Sequence, residues 1–253
     1  MAFRQRLHDG DLLVGTMLSE VRNPNVALML ATAGLDWVVI DLEHGTYGWP
    51  DVAALVTACR DAGVAPLVRI PEVRRETVLK PLDAGAVGLV VPMVEHPEQV
   101  AEVVRHAKYP PEGRRGVALR RAHSRYAKQS PVAAMAQANE QTVLLMQIES
   151  QAGVDGLADL CAVPGFDGFF IGPFDLSVDL GIPGELGHDR LWAAYEQVIA
   201  TARAHGLAPA IQMFDHDMAE RLLAMGVRLC SFSSDVNTLV DSWTESARRI
   251  RAR

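Results

Sequence analysis

VVIDLEHG, residues 38–45, decides the fold. Val38, Val39 and Ile40 run without polar interruption into Asp41, Leu42, Glu43, His44 and Gly45, and a helical pattern begins near Pro50. An unbroken β-branched run suits a parallel strand buried on both faces. Polar residues gathered at its C-terminal end are what an α/β active site draws on.

Outward from this stretch the same unit recurs. Strand-like runs at Leu13–Met17, Trp37–Leu42, Pro66–Ile70, Gly88–Pro92, Val143–Ile148, Gly168–Ile171, Ala208–Met213 and Leu229–Ser233 alternate with helical runs. The helices are expected at Asn25–Ala33, Pro50–Ala62, Arg74–Ala84, Glu98–Lys108, Val154–Cys161, Leu191–His205, His216–Met225 and Leu239–Arg251. Gly34, Gly63, Gly85, Gly206 and Gly226 each follow a helical run, where a left-handed C-cap belongs. The longest interruption, about 109–139, reads as an arginine-rich loop followed by extra helix. No linker or low-complexity tract divides residues 1–253, so they read as a single α/β domain. Eight βα pairs over this length predict a (β/α)8 TIM barrel, with a doubly wound open sheet as the other arrangement.

Composition narrows the function. Hydrophobic residues make up 49% of the chain, enough for a full core. A formal charge of −7 and the lack of any long basic run argue against nucleic acid. The N-terminus lacks a signal-peptide pattern, and no segment approaches the roughly 18 apolar residues of a membrane span. A cytoplasmic protein is therefore expected. Cys59, Cys161 and Cys230 are scattered and odd in number, which suits buried thiols rather than disulfides or a zinc site.

A barrel places its chemistry at the C-terminal ends of strands. Those ends carry Asp41, Glu43 and His44 on the second, Arg69 on the third, Gln147 and Glu149 on the fifth, and Gly172, Pro173, Phe174 and Asp175 after the sixth. Polar residues marking the edge of the core account for some of these. They do not readily account for an arginine within PLVRIP or for glutamine and glutamate within LLMQIES.

Glu149 and Asp175 can converge on one hard divalent cation, magnesium or manganese, and leave positions for water and a chelating substrate. As carboxylates in first turns they can equally cap the following helices. Gln147 shares strand parity with Glu149. His44 is the candidate proton carrier, with Asp41 placed to fix its tautomer, and its competing role is to cap the helix near Pro50. His8, His96, His106, His123, His188, His205 and His216 fall in helical or loop contexts and read as solvated.

Arg69 in an apolar strand needs an anionic partner, for which Asp41, Asp83 and a substrate are available. Asp83 stands near the end of a helix, where the dipole disfavours it, so it has either a specific partner or a solvated face. Gly172 and Pro173 bring backbone close to the barrel mouth, and the amides of Phe174 and Asp175 can bind a carboxylate. The GxGxxG and P-loop patterns are absent, leaving nucleotide cofactors without support.

In order along the chain, VVIDLEHG, PLVRIP, LDAGAVGLVVPMV, YPPEGRRGVA, QIES and GFFIGPFDLSVDLG resemble the HpcH/HpaI aldolases, metal-dependent class II pyruvate aldolases of the 4-hydroxy-2-oxoheptanedioate aldolase type. The likeness runs from about Leu13 to Leu239. It implies a barrel that reversibly cleaves 4-hydroxy-2-oxo acids to pyruvate and an aldehyde, through a pyruvate enolate held on a divalent cation (Mg, Mn or Co). It also implies metal ligation by Glu149 and Asp175 and catalytic roles for His44, Arg69, Asp41 and Asp83. A homo-oligomer, a hexamer built as a trimer of dimers, is implied too, with the C-terminal helix packed on a neighbouring subunit. No Schiff-base lysine is required, and Lys80, Lys108 and Lys128 lie outside the strands.

The chain departs from the family pattern at Ala118 and in the strand ends AIQMF and SFSSD, where an aliphatic residue and a glycine are commoner. Gln212, Met213, Ser233 and Ser234 are thus expected on the aldehyde side. Arg114, Arg115, Arg120, Arg121 and Arg125 can attract an acidic distal group, or can serve a solvated loop or subunit contacts. Two other functions remain open: a related lyase or decarboxylase using an oxaloacetate-like or acyl-CoA substrate, and a non-catalytic metabolite-binding barrel.

Overall fold

Each apolar run becomes a strand. They are β1 (Leu13–Leu18), β2 (Trp37–Asp41), β3 (Ala65–Arg69), β4 (Gly88–Val91), β5 (Val143–Ile148), β6 (Gly168–Ile171), β7 (Ala208–Met213) and β8 (Leu229–Ser234). All pair in parallel with their sequence neighbours, and β8 closes onto β1 through Leu13↔Leu229 and Val14↔Cys230. The computed structural model describes residues 2–252. Closure establishes the barrel and excludes the open sheet.

The strands lack alternation in sequence because both of their faces are buried. Val38, Ile40, Val68, Leu89, Leu144 and Ile211 face the surrounding helices. Trp37, Val39, Leu67, Val90, Leu145, Phe170, Ala210 and Leu229 fill the barrel itself. Side chains alternate along a strand, so the next inward positions toward the C-terminal end are Asp41, Arg69, Gln147, Gly172 and Gln212. The interior is therefore apolar below and polar at the mouth. The five glycines expected as C-caps all have positive φ, between 70° and 105°.

Several elements differ from the sequence expectation. A helix at Phe3–His8 was not foreseen: it closes the barrel from below, with Phe3 and Leu7 packed into the inner cluster. Arg4 Nε (2.6 Å) and His8 Nε2 (3.0 Å) fasten it to the fully buried Asp167, which also accepts the Leu144 N–H at 2.8 Å. Burial opposes ionisation of Asp167, but the His8 hydrogen bond and the Arg4 charge outweigh it and hold this carboxyl below the usual range.

The helix start expected at Phe174 and Asp175 is present as the short helix Pro173–Asp179 after β6. The insert contains a short 3-10 turn, Ala122–Ser124, and the helix Pro131–Gln141. Lys108, which the sequence placed merely outside the strands, is buried beside the insert and donates to the Asn139 and Thr142 carbonyls at 2.7 and 2.9 Å. Burial pushes its pKa down to about 8. Cys59 and Cys230 are buried, Cys161 is half-buried, and all are free thiols.

The final helix starts at Asp235, four positions earlier than expected, because Ser234 caps it by accepting the Asn237 N–H at 3.2 Å. None of its residues is buried, and Val240, Trp243 and Ile250 are exposed. An apolar groove of about 610 Å³, lined by residues that include Leu18, Met29, Leu30, Leu223 and Phe232, stays open beside β1 and β8. No helix among the described residues is long and apolar enough to cross a membrane.

Candidate active site

Asp41 and Arg69 are register partners on β2 and β3, so their side chains leave the sheet on the same inner face. The guanidinium grips the carboxylate with two hydrogen bonds, Nε–Oδ1 2.8 Å and Nη2–Oδ2 2.7 Å, both buried. Nη1 lies 3.2 Å from Glu43 Oε2. That contact lacks hydrogen-bond geometry, and Glu43 Oε2 is a buried oxygen without a partner. Burial alone would lower the Arg69 pKa, but Asp41 more than reverses this and keeps the cation charged.

The expected Asp41–His44 dyad is not formed. Asp41 Oδ1 instead accepts the backbone N–H groups of Glu43 (3.0 Å) and His44 (3.4 Å), which folds the loop back over the strand end. Gly45 makes that bend possible, since a Cβ there would lie 2.1 Å from the Asp41 carbonyl oxygen. His44 does not cap the following helix either: that helix begins at Trp49, and Asp51 reaches back to the Gly48 N–H at 2.8 Å. The His44 ring is exposed and lines a cleft of about 420 Å³ at the mouth.

Glu149 is buried beyond the end of β5, where its Oε1 accepts the Met93 N–H at 2.7 Å and its Oε2 accepts from Gln147 Nε2. Ser150, not Glu149, caps the next helix. Asp175 is exposed to the cleft in the first turn of Pro173–Asp179. Burial pushes Glu149 up to about 7; the charges of Glu43 and Asp175 add to the rise, against the Met93 and Gln147 hydrogen bonds. Burial likewise raises Glu43, helped by Asp41 and Asp175 and opposed by Arg69 and His44.

Three carboxylates thus repel one another at the mouth. Beside them, Gln147 Oε1 is buried with no hydrogen-bond partner. Gly172 is pressed against this group, since a Cβ there would fall 2.5 Å from Glu149 Oε2 and 2.9 Å from Gln147 Nε2. An all-oxygen donor set with mutually destabilised charges matches the chemistry of a hard divalent cation. Among the described residues, no three His, Cys, Asp or Glu side chains form a complete cage. A cation here would therefore complete its shell with water and substrate oxygens.

Phe170, Pro173, Phe174 and Gln212 also line the cleft, as do Met17, Ser19, Phe214, Ser234 and Asn237. The strand-end rule, applied to β1 and β8, would have found Ser19 and Asn237. Met213, expected here, faces outward into the helical layer and lines the apolar groove instead.

Asp83 lies near the C-terminal end of helix Arg75–Ala84, which runs back from the mouth, and it pairs with Arg115 Nη2 at 2.7 Å. It does not reach His44 within one chain. Arg125 pairs with Asp61, and none of the insert arginines lines the cleft of its own chain. Nor are all the remaining histidines solvated: His8 is bonded to Asp167, His123 is half-buried in the insert, and His216 stacks on Phe232.

A sequence profile of the HpcH/HpaI aldolase/citrate lyase family matches residues 16–242. The chain belongs to this family. It is 34% identical to a hydroxypyruvate/pyruvate aldolase of Roseovarius nubinhibens, across 95% of this chain and 96% of that one. It is 36% identical to a 2-keto-3-deoxy-L-rhamnonate aldolase of Salmonella gallinarum, across 92% and 86% of the two chains. Among solved structures, an HpcH/HpaI aldolase from Desulfitobacterium hafniense DCB-2 superposes with a TM-score of 0.96 at 34% identity, covering 99% of this chain and 97% of that one. The family and the names of these relatives indicate an aldolase-type lyase acting on small molecules.

Proposed function

We propose that this HpcH/HpaI-family chain is a divalent-metal-dependent aldolase that reversibly cleaves 4-hydroxy-2-oxo acids to pyruvate, or a close analogue of it, and an aldehyde. The observation that carries this reading is the make-up of the mouth: Asp175 and Gly172 line the cleft, Gly172 lies against the buried Glu149 and the unpartnered Gln147, and Asp41 holds Arg69 beside them. Glu149 and Asp175 would hold the cation (Mg, Mn or Co). When bound, it supplies Lewis-acid polarisation of a chelating 2-oxo acid.

The chain's own groups do the rest. First-turn N–H groups of Phe174 and Asp175, which have no intrahelical acceptor, are donors for the substrate carboxylate. Arg69, locked in place by Asp41, stabilises the oxygen on which negative charge grows as the C3–C4 bond breaks. His44 takes the proton of the C4 hydroxyl at its exposed ring and exchanges it with solvent, from which C3 of the enolate regains a proton to give pyruvate. Asp41 serves His44 by holding the backbone on which the ring is mounted. Gly172 leaves the space beside Glu149 and Gln147 clear.

Two assays test this: pyruvate release from 4-hydroxy-2-oxo acids, and deuterium exchange into the pyruvate methyl group with added Mg, Mn or Co. His44→Ala and Glu149→Ala should each abolish cleavage while circular dichroism stays native. Full activity after exhaustive chelation would refute the proposal. The family description, which includes citrate lyase, favours one second reading: a related lyase using an oxaloacetate-like or acyl-CoA substrate. Carbon dioxide or a thioester among the products would support it. We further propose a homo-oligomer, a hexamer arranged as a trimer of dimers, in which the uncovered face of helix Asp235–Arg251 packs on a neighbouring copy.

A further inference from the structure

The end of β7 carries a polar side chain that the proposed mechanism leaves unused. Gln212 is only 8% exposed, points to the mouth beside Gly172, and lines the cleft. Its Nε2 donates to the Ser233 carbonyl at 2.6 Å, which leaves Oε1 buried and without a partner. The orientation of this amide is determined by chemistry: a flipped Gln212 would set its oxygen against the Ser233 oxygen. A buried acceptor with no donor is costly, so the arrangement calls for a ligand that brings one.

The clamp on the other end of the amide is itself unusual. Ser233 has φ +57°, a left-handed conformation that side chains rarely adopt, and the β1–β8 register slips between Gly15 and Met17, where Met17 pairs with Ser234. This irregularity brings the Ser233 carbonyl within reach of both Gln212 Nε2 and Thr16 Oγ1 (3.4 Å). Strain kept at a mouth-lining strand end, in a position that aims one side chain, is a functional signature. Ser231 is the register partner of Gln212, and its Oγ is likewise buried and unpartnered. This stretch of the wall carries no cation, because the cleft's arginine is Arg69, already engaged by Asp41.

Resting on the aldolase reading above, we infer that Gln212 is a specificity-determining residue whose amide oxygen accepts a hydrogen bond from a substrate hydroxyl. This selects a hydroxylated substrate over its deoxy analogue. The hydroxyl belongs either to the carbon next to the aldehyde of the electrophile or to C3 of the nucleophile.

Two paired comparisons separate these sources. One sets glycolaldehyde against acetaldehyde with pyruvate held constant; the other sets hydroxypyruvate against pyruvate with a single aldehyde. The wild type should prefer the hydroxylated partner by about tenfold or more in kcat/KM in one arm. Gln212→Met, similar in size but without the acceptor, should bring that ratio close to unity. Ser233→Gly, which relieves the strained φ and keeps the carbonyl, should retain the preference. A ratio unchanged by Gln212→Met in both arms overturns the inference, as does a wild type indifferent to the hydroxyl. Deuterium exchange into pyruvate without any aldehyde, measured on the same metal-loaded wild type, reports on the aldolase reading separately. Its absence would remove both.

Discussion

At the residue scale, the site depends on atoms that are missing as much as on those present. Gly172→Ala places a methyl 2.5 Å from Glu149 Oε2, so the variant should fold but lose metal-dependent pyruvate turnover by at least about a hundredfold. Isothermal titration with Mn would show the matching loss of affinity. Lys108 gives a prediction in pH. Burial holds its folded pKa at about 8, below the 10.5 of an ordinary lysine, so between these values the unfolded chain holds the proton that the folded chain has released. Stability from this group therefore rises with pH across that window. Relative to Lys108→Met, the wild type should gain on the order of 2 kcal/mol between pH 8 and 10, measured by urea denaturation. Asp41, Arg69, Gln147, Glu149 and Asp175 were legible in sequence because strand ends and two-residue periodicity mark the mouth. Their partners were legible only in part: Asp41 stood among the anions open to Arg69, but the lack of an Asp41–His44 ring contact did not show. Asp41 binds Arg69 rather than the His44 ring because β2–β3 register sets the two carboxylate bonds, and Asp83 turns to Arg115 because its helix runs away from the mouth.

At the scale of elements, the eight strands declared themselves through long apolar runs, whereas Phe3–His8 spans too few residues for any periodicity to show. Its anchor, Asp167, lies far away in sequence. Deleting residues 2–9 uncovers the inner cluster at Leu7 and leaves the Asp167 carboxylate buried without Arg4 or His8. Asp167 keeps the Leu144 N–H and the Lys108 charge but loses two ion-pair partners and its apolar cover, so the deletion should lower Tm by several degrees while Asp167→Leu in the deleted chain recovers part of the loss. Thermal unfolding followed by circular dichroism would check both. The start of the last helix was missed for a local reason: the Ser234 cap extends it through Asp235, whose carboxylate gathers the Ser19, Glu20 and Val21 amides. The loop after β1 and the root of that helix are thereby one unit.

At the scale of the whole molecule, the barrel was legible from the count and order of its βα pairs. Helix Asp235–Arg251 exposes Val240, Trp243 and Ile250 while the groove beside β1 and β8 stays open. Under the proposed homo-oligomer, truncation after Asn237 should keep a closed barrel but give monomer or aggregate by light scattering, whereas a mass unchanged apart from the deleted residues would refute the helix as the assembly element. The pairing of β8 with β1 also bears on synthesis. β1 is the first strand made and its second neighbour is the last, so during translation it waits as an open edge, and a nascent chain that stops short of β8 has neither a closed sheet nor a complete cleft. Ring closure and a complete cleft thus arrive together, once β8 has been made.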